Sequence, residues 1–583
     1  MNISESIMKQ LALLFLTLCT LALPAREKEV RLRILETSDI HGNYFSYDFL
    51  ARKAGTGGLS RVCTYVRSQR EALGEASVVL LDNGDILQGQ PSAYYYNFID
   101  TVSTHICAAM LNYMKYDAAT VGNHDVETGH PVYDRWAAAC EFPVTGANAT
   151  DLSTGAPYWK PYAVVERNGV RIGVLGLVTP GIPTWLPEKL WEGLRFDDMV
   201  QTARRYVAEL REKEKVDLVV GLFHSGVGRA DATGNLNENA TLQVAREVPG
   251  FDLIFCGHDH RKADRWVTNS AGDSVLVLNP AAQGANVAEA DVTLRFKGKK
   301  LVGKHVSGRL VDVTRLEPDA DFCRAFAAQE EAVRNFTDEV IGKNLKALTT
   351  QPAFFGPSAF VDLIHDLQLQ LSGAQVSFTA PISFNASIPA GDIHVSDMFN
   401  LYTYENQLYV MQLTGQEIKD YLEYSYAHWT RQMSSPEEHM LRFRQGADTL
   451  KDAWQRLASP SYNFDSAAGL RYTVDLTKPE GEKIAILGMS NGDTFDPKAT
   501  YRVAVNSYRG NGGGNLLTEG AGIPKDSLQQ RIVWSTDRDL RYYLMETIRK
   551  AGTVDARPRD DWKFIPEEWA KQAAPRDAEL LFR

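Results

Sequence analysis

Asp117-Ala-Ala-Thr-Val-Gly-Asn-His-Asp-Val-Glu127 joins a short apolar segment to a cluster of polar side chains. Residues 118–121 are small or β-branched, which predicts a short buried strand that ends at Gly122. A strand that ends in this way places the next side chains at the carboxyl edge of a sheet, where open α/β sheets bind ligands. Asn123 offers a carbonyl oxygen to a metal ion, His124 offers a ring nitrogen or a proton, and either Asp125 or Glu127 can orient His124.

Four other predicted strands end in the same way, with a potential metal ligand beside a glycine. The endings are Thr37-Ser-Asp39-Ile-His41-Gly42, Asp82-Asn-Gly-Asp85, Leu222-Phe-His224-Ser-Gly226 and Phe255-Cys-Gly257-His258-Asp-His260. A single Asp-x-His or Gly-His-x-His is more often a turn than a ligand pair. Repetition at successive strand ends of one α/β region instead predicts a shared metal site.

The candidate ligands are carboxylates, an amide and imidazoles, with no cysteine. This mixture suits two divalent ions of the Mn, Zn, Fe, Mg or Ca type and argues against a thiolate site. Two ions about 3.5–4 Å apart need a bridging carboxylate, and Asp85 is our choice because it is the lone carboxylate after the glycine of the second ending. Such a pair of ions can hold a phosphate, activate water and neutralise the charge of an in-line displacement.

Apolar strands alternate with helical patterns over residues 30–316, which predicts an α/β domain. Predicted strands are 32–36, 77–82, 118–121, 171–178, 216–222, 251–256 and 274–278, and predicted helices include 58–73 and 197–213. Residues 317–350 have the pattern of one charged linker helix. Residues 351–550 contain more aromatic residues and a strand–turn–helix at 411–422, typical of a second, α+β domain, and 551–583 are predicted to be a polar surface tail.

The N-terminus has the features of an export signal. Lys9, an apolar run and Ala25 predict a signal peptide over residues 1–25, and the run is too short for a comfortable membrane span. We therefore expect a periplasmic or secreted protein without a membrane span. A lipoprotein anchored at Cys19 is the less favoured alternative, because Leu18 stands where a small residue is wanted.

Composition narrows the class of partner. The chain has 583 residues and a formal net charge of −11, which argues against a general binder of nucleic-acid polymers but not against a small anionic substrate held by metal ions. The five cysteines after Cys19 are spread singly, so we expect most of them to be buried apolar residues, with one disulfide as the alternative. We expect a monomer.

The five strand endings resemble the motifs of the calcineurin-like metallophosphoesterases. The downstream half resembles the C-terminal domain of the 5′-nucleotidases and of the 2′,3′-cyclic-nucleotide 2′-phosphodiesterase/3′-nucleotidases. The resemblance implies a four-layer α/β sandwich, a helical linker and an α+β nucleotide-binding domain. It also implies one metal ion on Asp39, His41, Asp85 and His260 and a second on Asp85, Asn123, His224 and His258.

The resemblance also suggests catalytic and substrate-binding residues. His124 would face the phosphate as general acid or transition-state stabiliser, and Glu127 would orient it, although Asp125 stays open as the alternative. In the second domain the resemblance implies that Phe464 and Tyr508 clasp the base. Tyr462 is a further candidate for substrate binding, as is Asn511, which lies in the glycine-rich segment after Tyr508.

Two departures from the 5′-nucleotidase pattern favour the cyclic-phosphodiesterase branch. The segment Ser377-Phe-Thr-Ala-Pro-Ile-Ser-Phe384 lacks the phosphate-binding arginine, and Gly514 stands where an aspartate would hold the ribose hydroxyls. We therefore expect an exported dinuclear phosphoesterase that opens 2′,3′-cyclic nucleotides and then dephosphorylates 3′-nucleotides. A 5′-nucleotidase or nucleotide-sugar hydrolase is the alternative enzyme, and a surface binding protein with a vestigial metal site is the alternative of another class.

Overall fold

A computed structural model of the protein describes residues 27–229 and 231–583. The predicted signal peptide and Cys19 lie outside these residues. Within the two described ranges, no helix combines the length and the apolar character that a bilayer span requires. All five cysteines there are free thiols, so the disulfide alternative is not realised.

The N-terminal domain is built on two six-stranded sheets. In spatial order the first sheet contains Lys300–Asp312, Asn286–Lys297, Glu27–Thr37, Val78–Asp82, Ala118–Thr120 and Val144–Thr145. The second contains Lys262–Thr268, Ser274–Pro280, Leu253–Cys256, Leu218–His224, Val170–Val178 and Tyr162–Arg167. The four central strands of the second sheet are parallel, as are the last four of the first, so their carboxyl ends share one edge.

Helices cover both outer faces and complete a four-layer α/β/β/α sandwich. Apolar side chains of the two sheets form one buried cluster between them. Leu59–Leu73, Ile106–Met114 and His130–Ala139 cover the first sheet, and Met199–Glu212 and Thr241–Glu247 cover the second. The predicted fold class and each predicted strand of this domain are confirmed. The sequence reading missed the long hairpin 286–312, whose second strand is largely exposed and lacks a continuous apolar run.

The predicted single linker helix over 317–350 is wrong. Two helices, Ala320–Ala325 and Ala327–Asp338, are separated at Phe326, whose φ of −114° and ψ of 16° are not helical. The following strand Val340–Asn344 pairs with Gly391–His394 and with Thr553–Val554. Strand partners from far along the chain therefore override the local helical pattern, as tertiary pairing commonly does.

The second domain is organised around a five-stranded mixed sheet. Its spatial order is Ser466–Ala468, Val376–Thr379, Thr500–Asn506, Gln407–Thr414 and Ile532–Asp539. The predicted strand–turn–helix is present as Gln407–Thr414 and Gly415–Trp429, and the Thr414 side chain caps the helix. Two further helices pack against this domain's cores, Ala359–Ser372 and Leu540–Ala551.

The predicted surface tail is also wrong. Trp562–Ile565 joins a three-stranded sheet beside Leu470–Asp475 and Ile484–Met489. Helix Glu567–Phe582 then packs on the domain, with Leu581 fully buried. The polar, proline-containing segment 555–561 directs the sequence interpretation toward a surface tail, although apolar residues such as Trp562 and Phe564 follow it.

Contacts between the two domains hold the loops of one domain against the loops of the other. Tyr94 of the first domain lies in an apolar cluster of the second and donates a hydrogen bond to Asp539 at 3.2 Å. Lys189 donates to the Thr536 carbonyl at 3.1 Å. The carboxyl edge of the N-terminal sheets therefore faces the loops of the C-terminal domain.

Candidate metal centre and adjoining pocket

The structure brings the seven predicted metal ligands together at the shared carboxyl edge of the two sheets. Two groups have ligand atoms that all lie within 4.8 Å of one another: Asp39, His41 and His260, and Asp85, His224 and His258. Nε2 of His260 lies 3.4 Å from a carboxylate oxygen of Asp39. The four histidines and Asp39 divide between the groups as the resemblance implied, and Asp85 is part of the second group.

The backbone at this edge is strained. Asp39, His41, Asp85, His258 and His260 have φ values of 52°, 50°, 53°, 72° and 55°. Non-glycine residues rarely occupy this left-handed region, and such strain persists only where the surroundings enforce it, commonly at functional sites. The turns after the strands thus aim these side chains at one point.

Backbone carbonyls orient two of the imidazoles. Nδ1 of His41 lies 3.0 Å from the Gln88 carbonyl, and Nδ1 of His224 lies 2.6 Å from the Asn83 carbonyl. A carbonyl only accepts, so each Nδ1 carries a proton, and Nε2 is the ring nitrogen that is left for a metal ion at the centre. Fixing the tautomer through the second ring nitrogen is characteristic of metal-binding histidines.

Unpaired buried atoms at the centre fit divalent metal ions. Oδ2 of Asp85, Oδ1 of Asn123 and Nε2 of His224 are buried, and each lacks a hydrogen-bond partner among the described residues. Oδ2 of Asp85 lies 3.9 Å from Nε2 of His41 and 3.0 Å from Nε2 of His224, and Oδ2 and the His224 nitrogen approach each other without forming a hydrogen bond. Buried polar atoms without partners are costly unless something binds them, and oxygen and imidazole donors suit divalent ions.

Asp85 is central to this arrangement. Its Oδ1 accepts the backbone N–H of His124 at 2.7 Å, while Oδ2 faces the imidazoles of both metal-ligand groups. Burial raises the pKa of Asp85, but His224 and His124 outweigh that effect and hold it well below its usual range. A Cβ on Gly122 would collide with the Asp85 carboxylate, which explains the glycine.

The structure distinguishes between the two carboxylates that could orient His124. Nδ1 of His124 lies 2.5 Å from Glu127 Oε2. Asp125 instead accepts the backbone N–H groups of Asp85, Ile86, Leu87 and Gly122 at 2.7–2.9 Å. Asp125 therefore fixes the metal-site loop, and Glu127 contacts the histidine.

His124 favours its protonated form in the absence of bound ions. Burial lowers its pKa, but the carboxylates of Asp85 and Glu127 outweigh burial and raise the pKa to about 9. His41 behaves in the opposite way: burial is the main cause of a pKa lowered to about 4, which suits a neutral metal ligand.

A cavity of about 310 Å³ connects the metal centre to the second domain. Asn123, His124, Glu127 and His258 line one side, and Tyr404, Tyr462 and Tyr508 line the other. The Tyr462 ring meets the Tyr508 and Tyr404 rings edge to face, with centroids 6.4 Å apart in each pair. The cavity therefore has a metal-binding end and an aromatic end.

Two predicted substrate-binding residues lie elsewhere. Phe464 is fully buried and stacks on Trp429 with centroids 5.4 Å apart, so its prediction as a clasp residue is wrong. Asn511 is buried, donates to the Trp185 carbonyl at 3.1 Å and accepts from Gln529 at 2.7 Å. Both polar groups of Asn511 are engaged, so it joins the domains and does not line the cavity.

Arg509 holds the two tyrosine-bearing loops together. It is buried and pairs with Asp465 through two hydrogen bonds of 2.8 and 3.1 Å, and it also donates to the Tyr462 carbonyl at 2.9 Å. A Cβ on Gly514 would collide with Arg509 and Asn463. The glycine at 514 is thus required by the clamp behind the tyrosines.

Sequence reasoning missed residues on loops without a strong motif. Trp185 stacks on His258 at 5.6 Å, and Glu238 lies 3.0 Å from Nε2 of His258, which leaves Nδ1 for a metal ion. Tyr404, Asn406 and Ile382 also line the cavity. The aromatic residues near Phe464 indicated a binding surface in this region. The local sequence, however, does not distinguish an aromatic residue in the core from one that lines a cavity.

Family models match most of the chain. Residues 32–262 match the calcineurin-like phosphoesterase model, and residues 337–519 match the 5′-nucleotidase C-terminal domain model. The trifunctional nucleotide phosphoesterase protein YfkN of Bacillus subtilis is 27% identical over 97% of this chain but only 41% of its own length. A 2′,3′-cyclic-nucleotide 2′-phosphodiesterase/3′-nucleotidase of Salmonella typhimurium is 26% identical, covering 92% of this chain and 89% of its own.

A solved structure supports the fold. A putative 5′-nucleotidase from Staphylococcus aureus superposes with a TM-score of 0.73 at 22% identity, covering 92% of this chain and 99% of that one. The two family matches lie on the sandwich and on the domain that carries the tyrosines. The chain therefore belongs to the metal-dependent phosphoester hydrolases that combine a calcineurin-like phosphoesterase domain with a 5′-nucleotidase C-terminal domain.

Proposed function

We propose that the protein hydrolyses nucleotides, with 2′,3′-cyclic nucleotides opened to 3′-nucleotides and these then converted to nucleosides. One observation carries the proposal: the cavity that contains His124 and two predicted metal ligands also contains three tyrosine rings. Aromatic side chains that stack on a base contribute roughly 1–3 kcal/mol per base. A nucleotide would thereby be held with its base on the tyrosines and its phosphate at the metal ligands.

Asp39, His41, Asp85 and His260 would hold one divalent ion, and Asp85, Asn123, His224 and His258 the other. When bound, the two ions neutralise phosphate charge and activate water. In the first step water adds to phosphorus, the P–O2′ bond breaks and His124 protonates the 2′ oxygen. In the second step another water adds, the P–O3′ bond breaks and the products are a nucleoside and inorganic phosphate.

The surroundings of the tyrosines favour phosphate at the 2′ and 3′ oxygens. Arg509 fills the space beside Gly514, so no carboxylate there holds the ribose hydroxyls. Ile382, an apolar residue, lines the cavity in the segment where 5′-nucleotidases carry an arginine. The relatives named as 2′,3′-cyclic-nucleotide 2′-phosphodiesterase/3′-nucleotidases support the same choice.

A 5′-nucleotidase is the second candidate, because a 5′-nucleotidase of Vibrio cholerae is 25% identical over 68% of this chain. A panel of 2′,3′-cyclic, 3′- and 5′-nucleotides, assayed with added Mn, Zn or Mg, separates the two. We expect the highest kcat/KM for the 2′,3′-cyclic substrates. A kcat/KM that is highest for 5′-nucleotides would reject the proposed specificity.

Removing the tyrosine rings should affect nucleotides selectively. For Tyr462→Ala or Tyr508→Ala we expect kcat/KM for nucleotides to fall about 5- to 150-fold, equivalent to roughly 1–3 kcal/mol per stacking face. Hydrolysis of bis(4-nitrophenyl) phosphate, which has no base, should barely change. The measured quantity is the ratio of the two activities.

Two controls make this prediction specific. Tyr462→Phe and Tyr508→Phe keep the rings and should retain most of the ratio. Phe464→Ala removes a core ring, costs about 3–5 kcal/mol of stability and should lower Tm without a selective change in the ratio. An unchanged ratio in the tyrosine-to-alanine variants with intact Tm would remove these rings from substrate recognition.

We also propose export after cleavage of the predicted signal peptide. Sequencing the N-terminus of the protein made in a host with a Sec pathway should find a mature chain that begins shortly after Ala25. Retention of Met1 on a cytoplasmic protein would reject this proposal.

A further inference from the structure

A second cavity, of about 530 Å³, adjoins the metal centre. His258 and Glu238 line both this cavity and the one that contains the tyrosines. We call the second cavity the basic groove, because its lining includes Arg229, Arg261, Lys262 and Arg265. It lies on the N-terminal domain alone, whereas the tyrosines belong to the C-terminal domain.

The four cations of the basic groove differ in their ion pairs, and the lining also contains the carboxylates of Asp259 and Glu238. Arg229 pairs with Asp231 at 2.7 Å. Arg261, Lys262 and Arg265 have no ion-pair partner among the residues that the structure describes. Three such side chains together are notable on a chain whose formal net charge is −11.

The oxygens of both acidic residues in the lining contact neighbouring groups, and Lys262 helps to lower the pKa of Asp312 outside the groove. Asp259 accepts from the backbone N–H of Val227 at 2.9 Å, from the Asn279 side chain at 3.0 Å and from the Arg261 N–H at 3.1 Å. The Glu238 carboxylate contacts His258. The groove thus presents guanidinium and ammonium groups to an incoming anion, and Arg in particular matches phosphate geometry.

We propose that the basic groove binds a second phosphate of a phosphodiester substrate. This phosphate belongs to the part of the substrate that lies on the opposite side of the scissile phosphorus from the tyrosines. This inference rests on the proposed function, since it uses the same placement of the base. The fitting substrate class is a short oligonucleotide, whose first base contacts the tyrosines and whose next nucleoside and phosphate extend past His258. The volume accommodates a nucleoside with its phosphate, within the usual range of small-molecule sites.

The corresponding reaction is a balanced hydrolysis. Water adds to the scissile phosphorus, and the P–O bond to the 3′ oxygen of the nucleoside at the tyrosines breaks. That oxygen takes a proton from His124. The first nucleoside is released, and the remainder leaves as a 5′-phosphate.

The experiment compares two deoxydinucleotides that differ only in a 3′-terminal phosphate. Each is measured as an inhibitor of bis(4-nitrophenyl) phosphate hydrolysis and, separately, as a substrate. We expect the phosphorylated dinucleotide to bind wild-type protein about 10-fold more tightly, as expected for a charge-assisted contact, with the preference shrinking as salt is raised. The triple variant Arg261→Ala, Lys262→Ala, Arg265→Ala should lose this preference.

A matched triple variant controls for overall charge. Lys297→Ala, Lys299→Ala, Lys300→Ala removes three exposed cations from a hairpin tip that pairs with Glu27, at the end of the first sheet opposite the metal centre, and should keep the preference. Equal inhibition by the two dinucleotides in wild type, or a preference that survives the groove substitutions, overturns the proposal while leaving mononucleotide hydrolysis intact. Failure of every nucleotide to inhibit or react would reject the proposed function and the groove together. Inorganic phosphate should not reproduce the effect, which requires the covalent link.

Discussion

Asp85→Asn is expected to lower kcat by about 10³-fold or more, because the proposed pair of ions would supply several kcal/mol of transition-state stabilisation and each 1.36 kcal/mol is tenfold in rate. Oδ2 of Asp85 faces His224 and His41, one from each ligand group. A neutral amide cannot offset the charge of two neighbouring dications. Metal analysis of the purified variant should therefore find fewer than two ions per chain.

The fold should survive this substitution. Asparagine retains an oxygen that can accept the His124 N–H, now accepted by Oδ1 of Asp85. Asp82→Asn is the matched control, because burial raises the pKa of Asp82 to about 8 and Asp82 accepts from Gly84 and Thr37 and contacts no predicted ligand side chain. Full metal occupancy with a near-normal rate in Asp85→Asn would contradict the bridging role.

His124→Ala should keep both ions and lose on the order of 10²–10⁴-fold in rate, the usual contribution of a general acid. The ring lines the cavity beside Asn123, and its Nδ1 is held by Glu127, which leaves Nε2 for a substrate oxygen. A nitrophenolate leaving group needs little protonation. The loss should therefore be smaller for bis(4-nitrophenyl) phosphate than for a nucleotide.

Glu127→Gln tests the same assignment with a smaller change. The amide can still contact Nδ1 of His124 but no longer raises its pKa by charge. His124 should therefore lose its proton at a lower pH, and the fall in rate on the high-pH side of the profile should begin at a lower pH than in wild type. Equal losses on activated and natural substrates in His124→Ala, or loss of metal from that variant, would instead indicate a structural histidine.

The two domains differ in how far the sequence could predict them. Each predicted strand of the sandwich is present in the structure. These predictions succeed because a buried strand is a short apolar run, which is visible in the local sequence. The chemistry of the metal edge follows from topology, since parallel strands deliver their carboxyl ends to one edge. The sequence alone therefore predicts that Asp39, Asp85 and His224 are neighbours.

The ends and the pairing partners of elements outside these apolar runs could not be predicted from the sequence. Val340 looks like the end of a helix, yet it belongs to a strand whose partners lie near residues 392 and 553. Trp562 and Phe564 look like parts of a polar tail, yet they complete a core. Pairing over such distances depends on the surrounding surfaces, which no local window contains.

The sequence by itself determined the types of candidate metal ligand, their order and the strand ends that carry them, because these depend on residue identity and on the periodicity of apolar residues. Tertiary structure alone decided which neighbour serves which purpose. Asp125 accepts four backbone N–H groups while Glu127 reaches His124, and Phe464 packs on Trp429 while Tyr462, two residues away, faces the cavity. Adjacent residues of similar chemistry are separated only by the direction in which the folded backbone points them.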